Sequence, residues 1–331
     1  MLSYKLTGMM NRTPESEITE ESEGTMIARF FYVWMLCLGA LVFCSGISWS
    51  QTPQQVSAKL KIDGVHVSVD GKEFTTYLNR KMQKYPYFYP VNGPASGLSI
   101  TTESSEPYPH HHSLFFGCDK VNGGNYWQET LDQGQIISRQ TQILQKEGNE
   151  VIFTDLCEWK RKEGPSPFAD IRRIIISAPT PDLRIIDFEI TLVAMNDVQI
   201  EKTNHSLFSA RMVTALSVEG GGTLVNAQGD NAEEGTFGKE SSWCDYWGSR
   251  DGVKEGLAIF VHPKNRWSPS KWFTRDYGFF SPTPMNWLDD TGLKMAKAEQ
   301  LHLKYRCLIH KGDTYEADVQ SLYEDWANKA Q

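Results

Sequence analysis

Apolar positions alternate with polar ones along most of this chain. Leu301, Leu303, Tyr305, Cys307 and Ile309 occupy every second position, which places them on one face of a strand. Val65, Val67 and Val69 repeat the pattern. Asp70-Gly71 follows, then a second extended run from Phe74 to Leu78. That order reads as strand, tight turn, strand. Further extended runs cover 136–144, 151–159, 171–177, 184–193, 198–202 and 207–216. Turn residues separate them, at Lys146-Glu147-Gly148-Asn149, Pro179-Thr180-Pro181-Asp182, Asn196-Asp197 and Gly220-Gly221-Gly222. Many short strands with no helix between them argue for an all-β sandwich. The period changes only near the end. Val319, Leu322, Tyr323 and Trp326 follow i, i+3, i+4, i+7, and Asp313 with Glu316 makes a start like a capping box. A helix over 314–328 is expected, with more than twice as many strand as helix residues in the whole domain.

One stretch departs from plain alternation. Between Trp243 and Tyr277 the chain places Trp243, Asp245, Trp247, His262, Asn265, Trp267, Trp272, Arg275 and Tyr277. Leu257 to Val261 reads as a buried strand. His262-Pro263 ends it, since proline donates no ladder hydrogen bond. The segment that follows reads as a loop rich in Trp, Arg and Asn. Flat aromatic faces beside Arg, Asp and Asn suit sugar rings, whose C–H faces stack and whose hydroxyls donate and accept. Trp243, Asp245, Asn265, Trp272 and Tyr277 are therefore candidate substrate contacts.

Composition adds boundaries. The chain has 331 residues and a net charge of −8, which argues against a partner held through nucleic-acid phosphates. Met26 to Arg29 followed by the apolar run 30–43 reads as a secretory signal, with cleavage after Ser50 and Met26 as the true start. The apolar run is short for a membrane span. The expected organisation is an N-terminal extension and signal over 1–50, then one β-sandwich domain over 51–331. That domain carries 30 Lys+Arg against 36 Asp+Glu. The expected location is periplasmic or extracellular, with no stable span after processing and Cys44 as a candidate lipid anchor. Four cysteines remain beyond the signal: Cys118, Cys157, Cys244 and Cys307. In an exported chain they allow disulfides, in three full pairings. No C-x-x-C is present, so no structural zinc motif is suggested.

Three segments carry histidine. In Tyr108-Pro109-His110-His111-His112-Ser113, an extended chain would turn His110 and His112 to one side and His111 to the other. His110 and His112 are candidate ligands of a divalent metal, and His111 is a candidate acid–base group. Trp127 and Glu129 follow closely. His205, between Asn204 and Ser206 after a strand pair, is a candidate general acid that Asn204 would orient. His262 lies in the aromatic stretch.

Two resemblances add expectations. Asp70-Gly71-Lys72, Tyr87-Phe88-Tyr89-Pro90, the run from Pro109 to Gly117, Val121-Asn122-Gly123, Trp243-Cys244-Asp245-Tyr246, and the region from His262 to Gly278 resemble the PmoA-like family of exported bacterial proteins, a domain of unknown function. The likeness covers nearly all of 60–310. Locally, Thr203-Asn204-His205-Ser206-Leu207-Phe208 is similar to the catalytic-histidine motif of aldose 1-epimerases. Leu207 and Ser209 stand where that motif has tyrosine and asparagine. This likeness implies a galactose-mutarotase-like β-supersandwich with a C-terminal helix, and His205 as a proton-transfer residue. No glutamate near the C-terminus matches the one those enzymes use.

Three function classes follow. The leading one is an exported carbohydrate-active enzyme that cleaves or epimerises a sugar or glycoside. His111, His205 and His262 would move protons, Arg275 would hold an anionic or polar group, and a sugar would stack on Trp127, Trp243 or Trp272. The second is a non-catalytic glycan-binding protein on the same fold. The third is a metalloenzyme with histidine ligands. The shared expectation is that imidazoles from at least two of the three histidine segments meet in one pocket, with Arg275 on its wall.

Overall fold

The computed structural model describes residues 53–128 and 130–329. The signal segment, Cys37, Cys44 and Glu129 lie outside the described residues. The chain divides into two units, Met1–Ser50 and Gln51–Gln331, and the described residues belong to the second.

Alternation in sequence becomes two antiparallel sheets. The larger sheet runs Glu240–Ser241, Ser270–Arg275, Phe279–Pro282, Leu207–Arg211, Leu114–Val121, Tyr87–Val91, Lys72–Leu78, Gly64–Val69, Val56–Lys61 and Glu147–Gly148, with three short strands attached off this path. The smaller sheet runs Thr223–Asn226, Trp243–Arg250, Val253–Val261, Gln300–Lys311, Leu183–Ala194, Phe168–Thr180, Glu150–Lys160 and Gln135–Gln145. Strand holds 53% and helix 10%, so the expected all-β sandwich with a large excess of strand is what forms. The Asp70-Gly71 turn has the geometry its sequence demands. Both residues have positive φ, 48° and 76°, as in the two-residue turns whose twist matches a hairpin.

The core lies between the sheets. Phe88, Phe116 and Phe208 of the larger sheet all pack on Phe188 of the smaller one, at centroid distances of 6.4, 6.1 and 4.9 Å. Phe208 also stacks on Tyr305 at 4.9 Å. A second apolar cluster forms on the far side of the smaller sheet. Ile185, Trp243, Ala258, Phe260 and Leu308 pack there against Val319, Leu322, Tyr323 and Trp326. The apolar stripe at the end of the chain is thus a helix face laid on a sheet.

That helix starts later than expected, at Val319–Asn328. The reciprocal bonds of a capping box do form. Glu316 N donates to Asp313 Oδ1 at 3.0 Å, and Asp313 N donates to Glu316 Oε2 at 2.9 Å. They cap a turn rather than the helix, because Asp318 takes a left-handed conformation (φ 52°) and breaks the run. Cys118, Cys157, Cys244 and Cys307 are all buried free thiols, so none of the allowed pairings occurs. They serve as small apolar core residues. No helix among the described residues is long and apolar enough to cross a membrane.

Candidate functional site

Four neighbouring strands of the larger sheet gather the chemistry. In spatial order they are Ser270–Arg275, Phe279–Pro282, Leu207–Arg211 and Leu114–Val121. Side chains alternate across this sheet. Trp272 and Phe280 stack at 6.3 Å, and Phe280 meets Tyr246 of the smaller sheet at 5.4 Å. These turn inward. Their neighbours Phe273, Arg275 and Phe279 turn outward, away from the smaller sheet. The register aligns Arg211 with Phe279, and Phe279 with Arg275. Two arginines therefore flank one aromatic ring in a single row across three strands.

His111 precedes the strand Leu114–Val121, and His205 precedes Leu207–Arg211. Because these strands pair, with Phe208 opposite Phe116, the two imidazoles meet. Their ring centroids are 6.4 Å apart, nearly perpendicular. His205 lies flat on Trp127, at 4.4 Å and 13°. His111 sits 4.4 Å from Phe279 and stacks on Tyr108 at 5.2 Å. Phe273 closes the floor 6.0 Å from His205. The Tyr85 hydroxyl donates to the His110 carbonyl and ties down the histidine segment.

His205 is positioned by its neighbours, though not by Asn204, which is exposed. The Asp119 N–H donates to Ser206 Oγ at 2.9 Å, and Thr203 Oγ1 donates to Asp119 Oδ2 at 3.1 Å. Ser206 and Leu207 both have positive φ, 134° and 75°. Such backbone is costly for residues with a Cβ and persists only where surrounding bonds hold it.

The electrostatics of this face are set by burial. Burial, then the charges of His110, His205 and Arg211, holds the His111 pKa down to about 2. Burial, then His110 and Arg275, lowers His205 to about 3. Both rings are therefore uncharged near neutral pH. Burial also raises the Tyr277 hydroxyl to about 12, against the opposing effect of Arg211. Arg275 donates to Glu233 Oε1 at 2.9 Å, with its guanidinium 4.1 Å over Phe273 and 4.8 Å over Phe237. Several buried polar atoms here have no hydrogen-bond partner in the protein. They are His111 Nδ1, His205 Nδ1, Trp127 Nε1, Ser209 Oγ, and Nε and Nη1 of Arg211. Buried polar groups are normally paired, so a cluster of unpaired ones on one sheet face makes this the candidate site.

The expected residues divide sharply. His111, His205, Trp127, Arg275 and Tyr277 come together. The other five do not. His262 lies beyond the other sheet. Its strand parity follows Phe260, its ring meets the edge of Trp326 at 5.1 Å, and its Nδ1 accepts from Lys264 N at 3.0 Å. Trp243 packs under the C-terminal helix and donates to Gln320 Oε1 at 2.9 Å. Asp245 is fully buried, bonded to His310 Nε2 at 3.0 Å and accepting from Thr314 Oγ1 at 2.6 Å. Asn265 braces the loop to the strand Gln300–Lys311: its Nδ2 donates to Lys304 O at 2.9 Å and its Oδ1 accepts from Lys304 N at 2.8 Å. Trp272 is in a strand, not a loop. It is fully buried and donates to Ser241 O at 2.9 Å.

The metal expectation also changes. The segment 103–112 turns rather than extends, so His110 and His112 diverge. His110 packs on His111 at 4.5 Å, while His112 stacks on Tyr87 at 4.8 Å and bonds the Glu103 carbonyl through Nδ1 at 2.6 Å. Among the described residues, no three of His, Cys, Asp or Glu gather as metal ligands.

Sequence reading missed Arg211, Glu233, Phe273, Phe279 and Ser209. Phe273 and Phe279 each sit beside another aromatic, Trp272 and Phe280, so alternation alone does not say which of each pair faces outward. Arg211 and Glu233 carry no alternation signal. A separate cleft of about 690 Å³ opens beside Lys254, His310, Lys311 and Glu316. Its charges are already matched internally, Lys254 with Asp313 and Glu316, and Lys311 with Asp182.

The chain belongs to the family of unknown function DUF6807, whose model matches residues 64–324. No curated protein sequence matches it. Solved structures of a Glycoside Hydrolase Family 97 enzyme from Pseudoalteromonas sp. strain K8 are similar to it at 12% identity. One holds panose (TM-score 0.30), one is a substitution variant (0.31) and one holds acarbose (0.30). Each match covers 80% of this chain and 35% of the solved one, so this chain spans about a third of their length.

Proposed function

We propose that this DUF6807 member is an exported carbohydrate-active protein, and that the outward face around His111 and His205 performs acid–base chemistry on a sugar or glycoside. The observation that carries the reading is the pair of uncharged imidazoles, 6.4 Å apart over an aromatic floor, each with a buried, unpartnered Nδ1. Tyr108, exposed, and Tyr277, partly exposed, supply flat faces for sugar C–H groups above the buried Phe273 and Phe279. The two imidazoles supply what sugar chemistry needs, a group that takes a proton and a group that gives one. A neutral ring accepts at one nitrogen and donates at the other. A neutral ring takes a proton from the sugar as base, and only the imidazolium so formed can return it to the leaving or re-protonated atom as acid. That matters here, because burial penalises the imidazolium of both. Glycoside cleavage and epimerisation both fit this demand, and the epimerase-like motif around His205 runs into the strand Leu207–Arg211 of this sheet.

The test is turnover on a panel of neutral and acidic oligosaccharides by the secreted protein, with His111→Gln and His205→Gln. Either substitution is expected to lower turnover about 10²–10⁴-fold with the fold intact. Turnover that survives both substitutions would end the catalytic reading. Binding without turnover would favour the second reading, a glycan-binding protein, which the low basicity of both rings also supports. Export itself is tested by N-terminal sequencing of the secreted form, expected to begin near Gln51.

A further inference from the structure

Arg211 ends the strand Leu207–Arg211 and is only 3% exposed. Its backbone is fully engaged, with N donating to Ser113 O at 2.7 Å and O accepting from Thr102 N at 3.1 Å. Its guanidinium lies 4.1 Å over the Tyr277 ring. Tyr277 offers a π face, which attracts the cation but accepts none of its in-plane N–H bonds. Nε and Nη1 are buried and unpartnered. No carboxylate pairs with it among the described residues. Among the other buried arginines, Arg184 lies in the smaller sheet and is held by the main-chain carbonyls of Asn92 and Gly93. Arg172 is fully buried and bonds Asp170 at 2.9 Å. Arg275, in the same cross-strand row, is neutralised by Glu233. Arg211 is thus the uncompensated charge of this face, beside His111, Ser209 and Phe279. A buried guanidinium without a counter-charge is costly, and a planar carboxylate is the group its fixed N–H donors match best.

We propose that the sugar received at this face is acidic, a uronic-acid residue, and that Arg211 binds its carboxylate. This rests on the sugar-binding reading above and adds the substrate's charge to it. It also moves the anion-reading role from Arg275 to Arg211. Tyr108, 38% exposed, packs on Tyr277 at 5.2 Å and forms the rim beside Arg211; the acidic sugar would rest on that rim, with its carboxylate directed to Arg211.

The test is calorimetric titration of the full chain with oligomers of galacturonate, glucuronate and mannuronate. Each is paired with its carboxyl-reduced counterpart of the same length and linkage. Inorganic phosphate is titrated alone. At least one oligouronate is expected to bind about 100-fold or more tightly than its reduced counterpart. Arg211→Gln should bring the two to equal affinity while leaving binding of the neutral oligomer in place. The ligand-free Arg211→Gln protein should melt no lower than the parent, since it loses an unpaired buried charge. Equal affinity for acidic and neutral oligomers in the parent would overturn the proposal and leave the sugar reading standing. So would an acid preference that survives Arg211→Gln, or phosphate binding tighter than any oligouronate. If neither acidic nor neutral oligomers bind, the sugar reading fails and this proposal fails with it.

Discussion

The outward faces of the two sheets use the same kinds of residue to opposite ends. On the smaller sheet, His310, Asp245, Thr314, Trp243, His262 and Asn265 lie under or beside the C-terminal helix. Nearly every polar atom there has a partner: His310 with Asp245, Asp245 with Thr314, Trp243 with Gln320, Asn265 with Lys304. His310 Nδ1 is the exception, and it lies beside the main chain of Lys311 and Gly312, which favours the charged ring. On the larger sheet, His111, His205, Trp127, Ser209 and Arg211 leave polar atoms unpartnered on one patch. Satisfied polar groups hold a fold together. Unsatisfied ones, kept despite their cost, indicate a group from outside. Residue type alone separates the faces poorly, since each has His, Trp and a hydroxyl.

The sharpest break of this comparison is at Trp272, an aromatic that stacks on nothing external. Trp272→Ala should cost about 3–5 kcal/mol of unfolding free energy in urea titration, the scale for deleting a buried large aromatic. Carbohydrate affinity of the folded fraction should be unchanged. A variant as stable as the parent would mean the ring is not core.

This residue also shows what the sequence could and could not reveal. Strand positions were legible wherever alternation ran clean, as at Leu301 to Ile309 and Val65 to Val69. The hairpin turn was legible because Asp-Gly supplies the two left-handed residues. The helix was legible in type but not in start, since nothing local shows that Asp318 turns left-handed. The facing of each strand was not legible. Trp272 and Phe273 are adjacent aromatics, and only the pairing of three distant strands decides which one enters the core. For His262 the shared parity with Phe260 was visible, but the helix that covers both lies over fifty residues later in the chain. Arg211 was overlooked because an arginine at a strand end ordinarily reaches solvent. Its burial depends on Tyr277, Tyr108 and Ser113, which come from other segments.

His310 should titrate with opposite sign to His111 and His205. His111 and His205 have folded pKa values below the ordinary 6.5. The unfolded chain therefore binds more protons than the folded one as pH falls below about 6.5. Stability should be full above that pH and decline on acidification toward 3, by up to about 1.4 kcal/mol per pH unit for a fully buried ring such as His111. For His310, burial lowers the pKa but the Asp245 carboxylate outweighs it, and the net shift is upward. Its contribution is complete below about 6.5 and is lost as pH rises through the raised value. Urea unfolding from pH 3 to 9 checks both. His111→Gln should flatten the acid limb, and His310→Gln should flatten the alkaline one. An acid limb that His111→Gln leaves unchanged would contradict the buried, neutral state of that ring.

The smallest effect is the most direct comparison, because it removes one hydroxyl from each face. Thr314 Oγ1 donates to Asp245 Oδ2 at 2.6 Å, a short bond to a buried carboxylate that is itself tied to His310. Thr314→Val keeps the shape and removes the donor, leaving one carboxylate oxygen unpaired. It should cost about 1.5–3 kcal/mol, the range for a bond to a charged group. Ser209 is equally buried on the other face, but its Oγ has no partner. Ser209→Ala removes a hydroxyl whose desolvation nothing in the protein offsets, so the ligand-free variant should be as stable as the parent or slightly more so. If Ser209→Ala proves as destabilising as Thr314→Val, the two faces are alike, and the patch around His111 and His205 is structural rather than receptive.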